Sequence, residues 1–136
     1  LQYEVCYTNV LTMLDLGGIP LHAKDRTLEH PLVIAGGPGA QNPELLAPFV
    51  DVFIIGDGEE SLPWLMERWM AMRAACGFAL DKSHASAKPQ AAMRADLIAQ
   101  LVNQTTWAYA PQFYEPEYHA DGTIAAIHRT RPDVPV

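Results

Sequence analysis

A chain of 136 residues suits one domain with room for an appendage, and it can bury a real core. Its 49% hydrophobic content is that of a globular protein, and a net charge of −7 with 9 lysines and arginines argues against a nucleic-acid surface. No apolar run approaches the ~20 residues of a membrane span and no signal peptide is visible, so no membrane partner and a cytoplasmic location are expected.

Leu1-Gln2-Tyr3 opens inside an apolar pattern without an initiator methionine, as the end of a strand in a piece of something larger would. From Glu4 to Leu16, Cys6, Tyr7, Val10, Leu11 and Leu14 follow helical spacing, and Gly17-Gly18 with Pro20 stops the helix. His22 to His30 reads as a polar connection. Leu32 to Ala35 is a short apolar run without alternation, the mark of a strand covered on both faces and hence of a parallel sheet.

Gly36-Gly37-Pro38-Gly39 follows. Asn42-Pro43-Glu44 then signals a helix start, with Asn42 as cap and Pro43 at the first position, and Pro48 keeps this helix short or distorted. Val52 to Ile55 is the second buried strand. After Gly56-Asp57-Gly58-Glu59-Glu60 comes the strongest helical pattern, Ser61 to Cys76, with Leu62, Leu65, Met66, Trp69, Met72 and Cys76 on its apolar side. Pro63 belongs in a first turn, which sets the start near Glu60 or Ser61.

Residues 79–89 read as a linker, and Pro89 to Asn103 as a third amphipathic helix carried by Met93, Leu97, Ile98 and Leu101. A segment rich in aromatics and prolines follows, from Trp107 to Tyr118. Asp121-Gly122 suits a two-residue turn in a hairpin from Tyr118 to His128, and residues 131–136 have no pattern beyond that of an exit linker.

The expected fold is therefore α/β, a partial flavodoxin- or Rossmann-like parallel sheet with flanking helices, plus a C-terminal β-hairpin segment. Residues 1–78 form the α/β unit and 90–130 the helix, Tyr/Pro-rich segment and hairpin.

Both glycine turns follow strands, so a parallel sheet places them at one carboxyl edge, where ligands bind in open α/β sheets. Candidate binding residues are Gly36, Gly37, Pro38, Gly56, Asp57, Gly58, Glu59 and Glu60. The turns lack the P-loop and dinucleotide fingerprints, and their carboxylates repel phosphate. Asp57, Glu59 and Glu60 suit a magnesium ion, or simply the positive end of a helix dipole. His22, His30, His84, His119 and His128 have no ligand spacing, Cys6 and Cys76 stand alone, and no catalytic constellation is present.

With these residues in view, the chain resembles the cobalamin-binding-like domain that precedes the barrel in many radical SAM proteins. It carries GGP at 36–38 and GDGEE at 56–60. It is still closer to one uncharacterised radical SAM family in Leu1–Leu21, Asn42–Ala47, Phe53–Glu60 and Tyr109–Gly122. Leu45 stands where that family has proline, and Ala108 where it has glycine.

The resemblance implies a non-catalytic fragment lacking the radical SAM barrel, with cobalamin as the cofactor of the two glycine turns. It also implies a parent enzyme that uses S-adenosylmethionine and a 4Fe-4S cluster, with the barrel as partner of this unit. The strands here become the third to fifth of a flavodoxin-like order, with Leu1–Tyr3 paired to Leu32–Ala35 and a sheet edge left open to association. Glu117-Tyr118-His119-Ala120-Asp121-Gly122 imitates a cobalt-ligating motif, but in a hairpin. Three readings stand: an accessory cobalamin-binding-like domain, a cofactor-free scaffold that docks substrate or partner, and a small metal-dependent α/β enzyme.

Overall fold

The computed structural model describes residues 1–76 and 90–135, so the expected linker at 79–89 and His84 lie outside the described residues. Val52, Phe53 and Ile54 form β2 (Val52–Ile54), buried on both sides. β2 pairs in parallel with β1 (Ile34–Ala35) through Ile34 opposite Val52 and Ala35 opposite Phe53. Strand alternation sends Val52 and Ile54 into one core, with Leu28, Leu65, Trp69, Leu97, Ile98 and Phe113. Phe53 enters a second core with Tyr7, Ala35, Leu46 and Val50. The sheet is thus covered on both faces, as an unalternating apolar strand requires.

Helix α1 (Tyr7–Leu16) lies on the second core through Tyr7, also buries Leu14, and is preceded by a 3₁₀ turn at Glu4–Cys6. It closes in a Schellman motif: Ile19 N–H reaches the Leu14 carbonyl, Gly18 N–H reaches that of Asp15, and Gly18 takes a left-handed φ of 63°. Helix α2 (Gly58–Ala75) and helix α3 (Gln90–Val102) cover the first core.

Several expectations need correction. Leu1–Tyr3 forms no strand: the Leu1 amino group donates to the Gly36 carbonyl and Gly39 N–H to the Leu1 carbonyl, so the first residue crosses the glycine turn beyond β1. Residues 38–46 hold two 3₁₀ turns, Pro38–Gln41 and Pro43–Leu46, in place of the short or distorted helix expected from Asn42, and Asn42 makes no side-chain cap. α2 starts at Gly58, which puts Pro63 in its second turn. Leu65 and Trp69 are buried there, whereas Leu62 and Met66 are 42% and 41% exposed.

The aromatic segment joins the α/β unit. Ala108–Tyr109 forms β3, antiparallel to β2 with Phe53 opposite Tyr109, so the sheet is mixed, in the order β1-β2-β3. The hairpin is longer than expected, β4 (Tyr114–Tyr118) with β5 (Ile124–Arg129). Its loop has three residues, Ala120-Asp121-Gly122. Gly122 N–H bonds the His119 carbonyl, His119 N–H bonds that of Thr123, and Gly122 has a φ of 85°. Residues 131–135 are tied down, not loose: Val134 is buried in the first core, Arg131 binds Asp96 at 2.9 Å, and the Tyr114 hydroxyl donates to the Pro135 carbonyl.

Candidate functional site

The two glycine turns leave β1 and β2 at the same edge, and they line one cleft of about 570 Å³. Gly36, Gly37 and Pro38 form one wall, Gly56, Asp57, Gly58 and Glu59 the other, and Ile34, Ile54, Ile55 and Leu62 supply apolar surface. The parallel register creates this juxtaposition, since neighbouring strands lie ~5 Å apart and end together. Gly37 has φ 88° and ψ −178°, a conformation essentially confined to glycine, and a β-carbon there would lie 2.8 Å from the Leu1 carbonyl oxygen. Gly56, at φ 113°, has open space around it.

Seven of the eight candidate residues line the cleft. Glu60 turns instead to a smaller one of about 260 Å³ with Ser61, Trp64, Gln104, Thr105 and Trp107, where the two indoles meet edge to face at 5.7 Å. Asp57 and Glu59 are exposed, and among the described residues no lysine, arginine or histidine lines the larger cleft. The α2 N-terminus offers backbone N–H groups, while the carboxylates disfavour a phosphate-dense ligand. An apolar or hydroxyl-bearing group that bonds to backbone suits this lining best.

Among the described residues no three of His, Cys, Asp and Glu gather as metal donors, so Asp57, Glu59 and Glu60 do not form a magnesium cage. The described histidines lie elsewhere: His22 packs on Phe49, His30 Nδ1 lies 3.0 Å from Thr27 N–H, and His128 meets Glu117 at 2.7 Å. His119 flanks the hairpin loop, which explains its motif-like spacing as turn chemistry. Cys6 and Cys76 are both free.

On β3, the Tyr109 hydroxyl donates to Glu44 Oε1 at 2.7 Å, and its ring lies 5.0 Å from that of Tyr114. Burial, then the bond to Glu44, raises the Tyr109 phenol well above its ordinary range.

The opposite end of the strands holds a cluster that the sequence reading missed. Asp51, 1% exposed, accepts through Oδ2 from Arg26 Nη1 at 3.0 Å, Arg94 Nη2 at 2.9 Å and Val33 N–H at 2.7 Å. Arg26 also donates to the carbonyls of Pro20, Leu21 and Phe49, and Arg94 to those of Thr27, His30 and Pro31. These bonds fix the polar connection from His22 to His30 and the residues flanking it. Burial lowers the Arg26 pKa, opposed by Asp51 and assisted by Arg94. A signal existed: Arg94 falls on the apolar face of α3, three and four residues before Leu97 and Ile98.

Among the described residues, the α/β unit thus presents a backbone-lined cleft between its two glycine turns. The chain belongs to the family described as radical SAM proteins, N-terminal, which matches residues 1–90. No curated protein and no solved structure matches it. Among the described residues, no helix is long and apolar enough to cross a membrane.

Proposed function

We propose that this chain is an accessory, non-catalytic domain of a radical SAM iron–sulfur enzyme, and that the cleft between its glycine turns is a cobalamin-type pocket. The observation that carries this reading is the convergence of Gly36-Gly37-Pro38 and Gly56-Asp57-Gly58 on one cleft with an apolar floor. Family membership implies S-adenosylmethionine and a 4Fe-4S cluster in the parent protein. With 2 cysteines, this chain cannot supply a three-thiolate cluster loop, so that chemistry belongs to another part of the parent.

The residues present fit the benzimidazole and ribose of cobalamin's nucleotide tail, which need close backbone approach and apolar walls. Among the described residues, no side chain in the lining suits cobalt as a ligand. Gly36, Gly37, Gly56 and Gly58 would hold the tail; a bound cobalamin supplies alkyl-transfer or redox chemistry at cobalt, outside these residues.

The test is retention of cobalamin through gel filtration, read by its visible absorbance. The wild-type chain is expected to elute coloured, and Gly58→Val, whose β-carbon meets nothing within 4 Å in the free protein, to elute without colour. A colourless wild-type chain replaces this reading with that of a cofactor-free scaffold, which the exposed hairpin surface favours.

A further inference from the structure

The hairpin has one apolar face and one wet face. Tyr114 pairs with Arg129, Pro116 with Ile127 and Tyr118 with Ile124, all on one side; Glu115 with His128 and Glu117 with Ala126 lie on the other. Ile124 and Ile127 are three apart, so regular alternation would send them to opposite faces. The register shift at Glu117/Tyr118 leaves Ala125 as the extra residue of a bulge, and this returns Ile124 to the side of Ile127. Tyr118, Ile124 and Ile127 are 59%, 52% and 54% exposed. A two-stranded ribbon with a bare apolar face is marginal in water and calls for a covering surface.

We infer that this face, centred on Tyr118, Ile124 and Ile127, docks the domain that follows the unit in its parent radical SAM protein. The path of the polypeptide selects that occupant. Val134 and Pro135 lie at the base of the same face, where the Arg129 guanidinium donates to the Val134 carbonyl at 3.1 Å and the Tyr114 hydroxyl to the Pro135 carbonyl at 2.9 Å. In a protein where this unit is N-terminal, the succeeding polypeptide starts beside the apolar face. Docking is then intramolecular, and so independent of protein concentration. The partner surface is apolar at its centre, since Glu115 and Glu117 lie on the opposite face of the ribbon. The inference rests on membership of the N-terminal family and is independent of what the cleft binds.

Amide hydrogen exchange in the full parent chain tests it. The amides of β4 and β5 are expected to exchange at least ~10-fold more slowly in the wild type than in Ile124→Asp/Ile127→Asp, at any protein concentration. Glu115→Lys, on the wet face, is expected to leave them slow. Unchanged β2 amides verify that the fold survives, and Tyr118→Ser replaces the double variant if they change. Equal exchange in wild type and apolar-face variant overturns the inference. Protection that disappears on dilution also overturns it, because the occupant is then a second copy of the chain.

Discussion

At the amino ends of β1 and β2 one carboxylate, Asp51, is nearly sealed from water and held by two guanidinium groups and a backbone amide. At the carboxyl ends of the same strands, Asp57 and Glu59 stand exposed beside a cleft lined by no cation among the described residues. The difference shows how one sheet divides its tasks. One end loses water to fix a connection and the packing of α3. The other keeps glycine backbone and open space, which only a ligand or water can satisfy.

The sharpest way to break this comparison is Asp51→Asn. It leaves Arg26 and Arg94 facing each other without the carboxylate, and removing one partner of a buried ion cluster costs about 3–5 kcal/mol. Urea unfolding is expected to show a much lower midpoint; a midpoint near that of the wild type would mean that the six carbonyl bonds alone hold the arginines.

Gly37→Ala comes next. The backbone conformation and the 2.8 Å approach to Leu1 predict a loss of about 1–3 kcal/mol, read in the same unfolding experiment.

Tyr109→Phe removes one bond to Glu44 and is expected to cost about 1 kcal/mol. The phenol's folded pKa is raised above its ordinary value of 10. Its contribution is therefore full below that value and is lost only as the pH climbs through the raised one. Absorbance titration should place the Tyr109 phenolate step on the alkaline side of 10, and the step should vanish in Tyr109→Phe.

Gly58→Ala has the smallest effect on folding, within about 0.5 kcal/mol and toward greater stability, because its β-carbon meets nothing and alanine favours the helix. A stable variant that retains less cobalamin would mark Gly58 as a residue kept for ligand approach. Unchanged retention would move the ligand away from the α2 N-terminus.

Much of the fold was legible in local pattern. The buried strands, both glycine turns, α1, α2 and α3 follow from apolar runs, helical spacing and stop signals, because backbone preference and burial act over neighbouring residues. The location of the cleft was legible for the same reason: two strand ends in parallel register must bring their turns together. Less accessible was the fate of residues without a pattern. Pro38–Leu46 contains prolines that support tight 3₁₀ turns as readily as a helix. Ala108–Tyr109 is too short to announce a strand and becomes one only because β2 offers an unpaired side.

The sequence by itself determined an α/β unit with two glycine turns at one edge, a family resemblance that the N-terminal radical SAM match bears out in its coarser form, and an acidic character hostile to phosphate. Only the tertiary structure decided that Asp51 gathers Arg26 and Arg94, that Glu60 turns away from the cleft, and that a bulge gathers Ile124 and Ile127 onto one face of the hairpin. The physical reason is range. Propensity and periodicity are written in neighbouring residues, whereas a buried ion cluster joins positions up to 68 residues apart (26 to 94) and exists only once packing has excluded water from all of them.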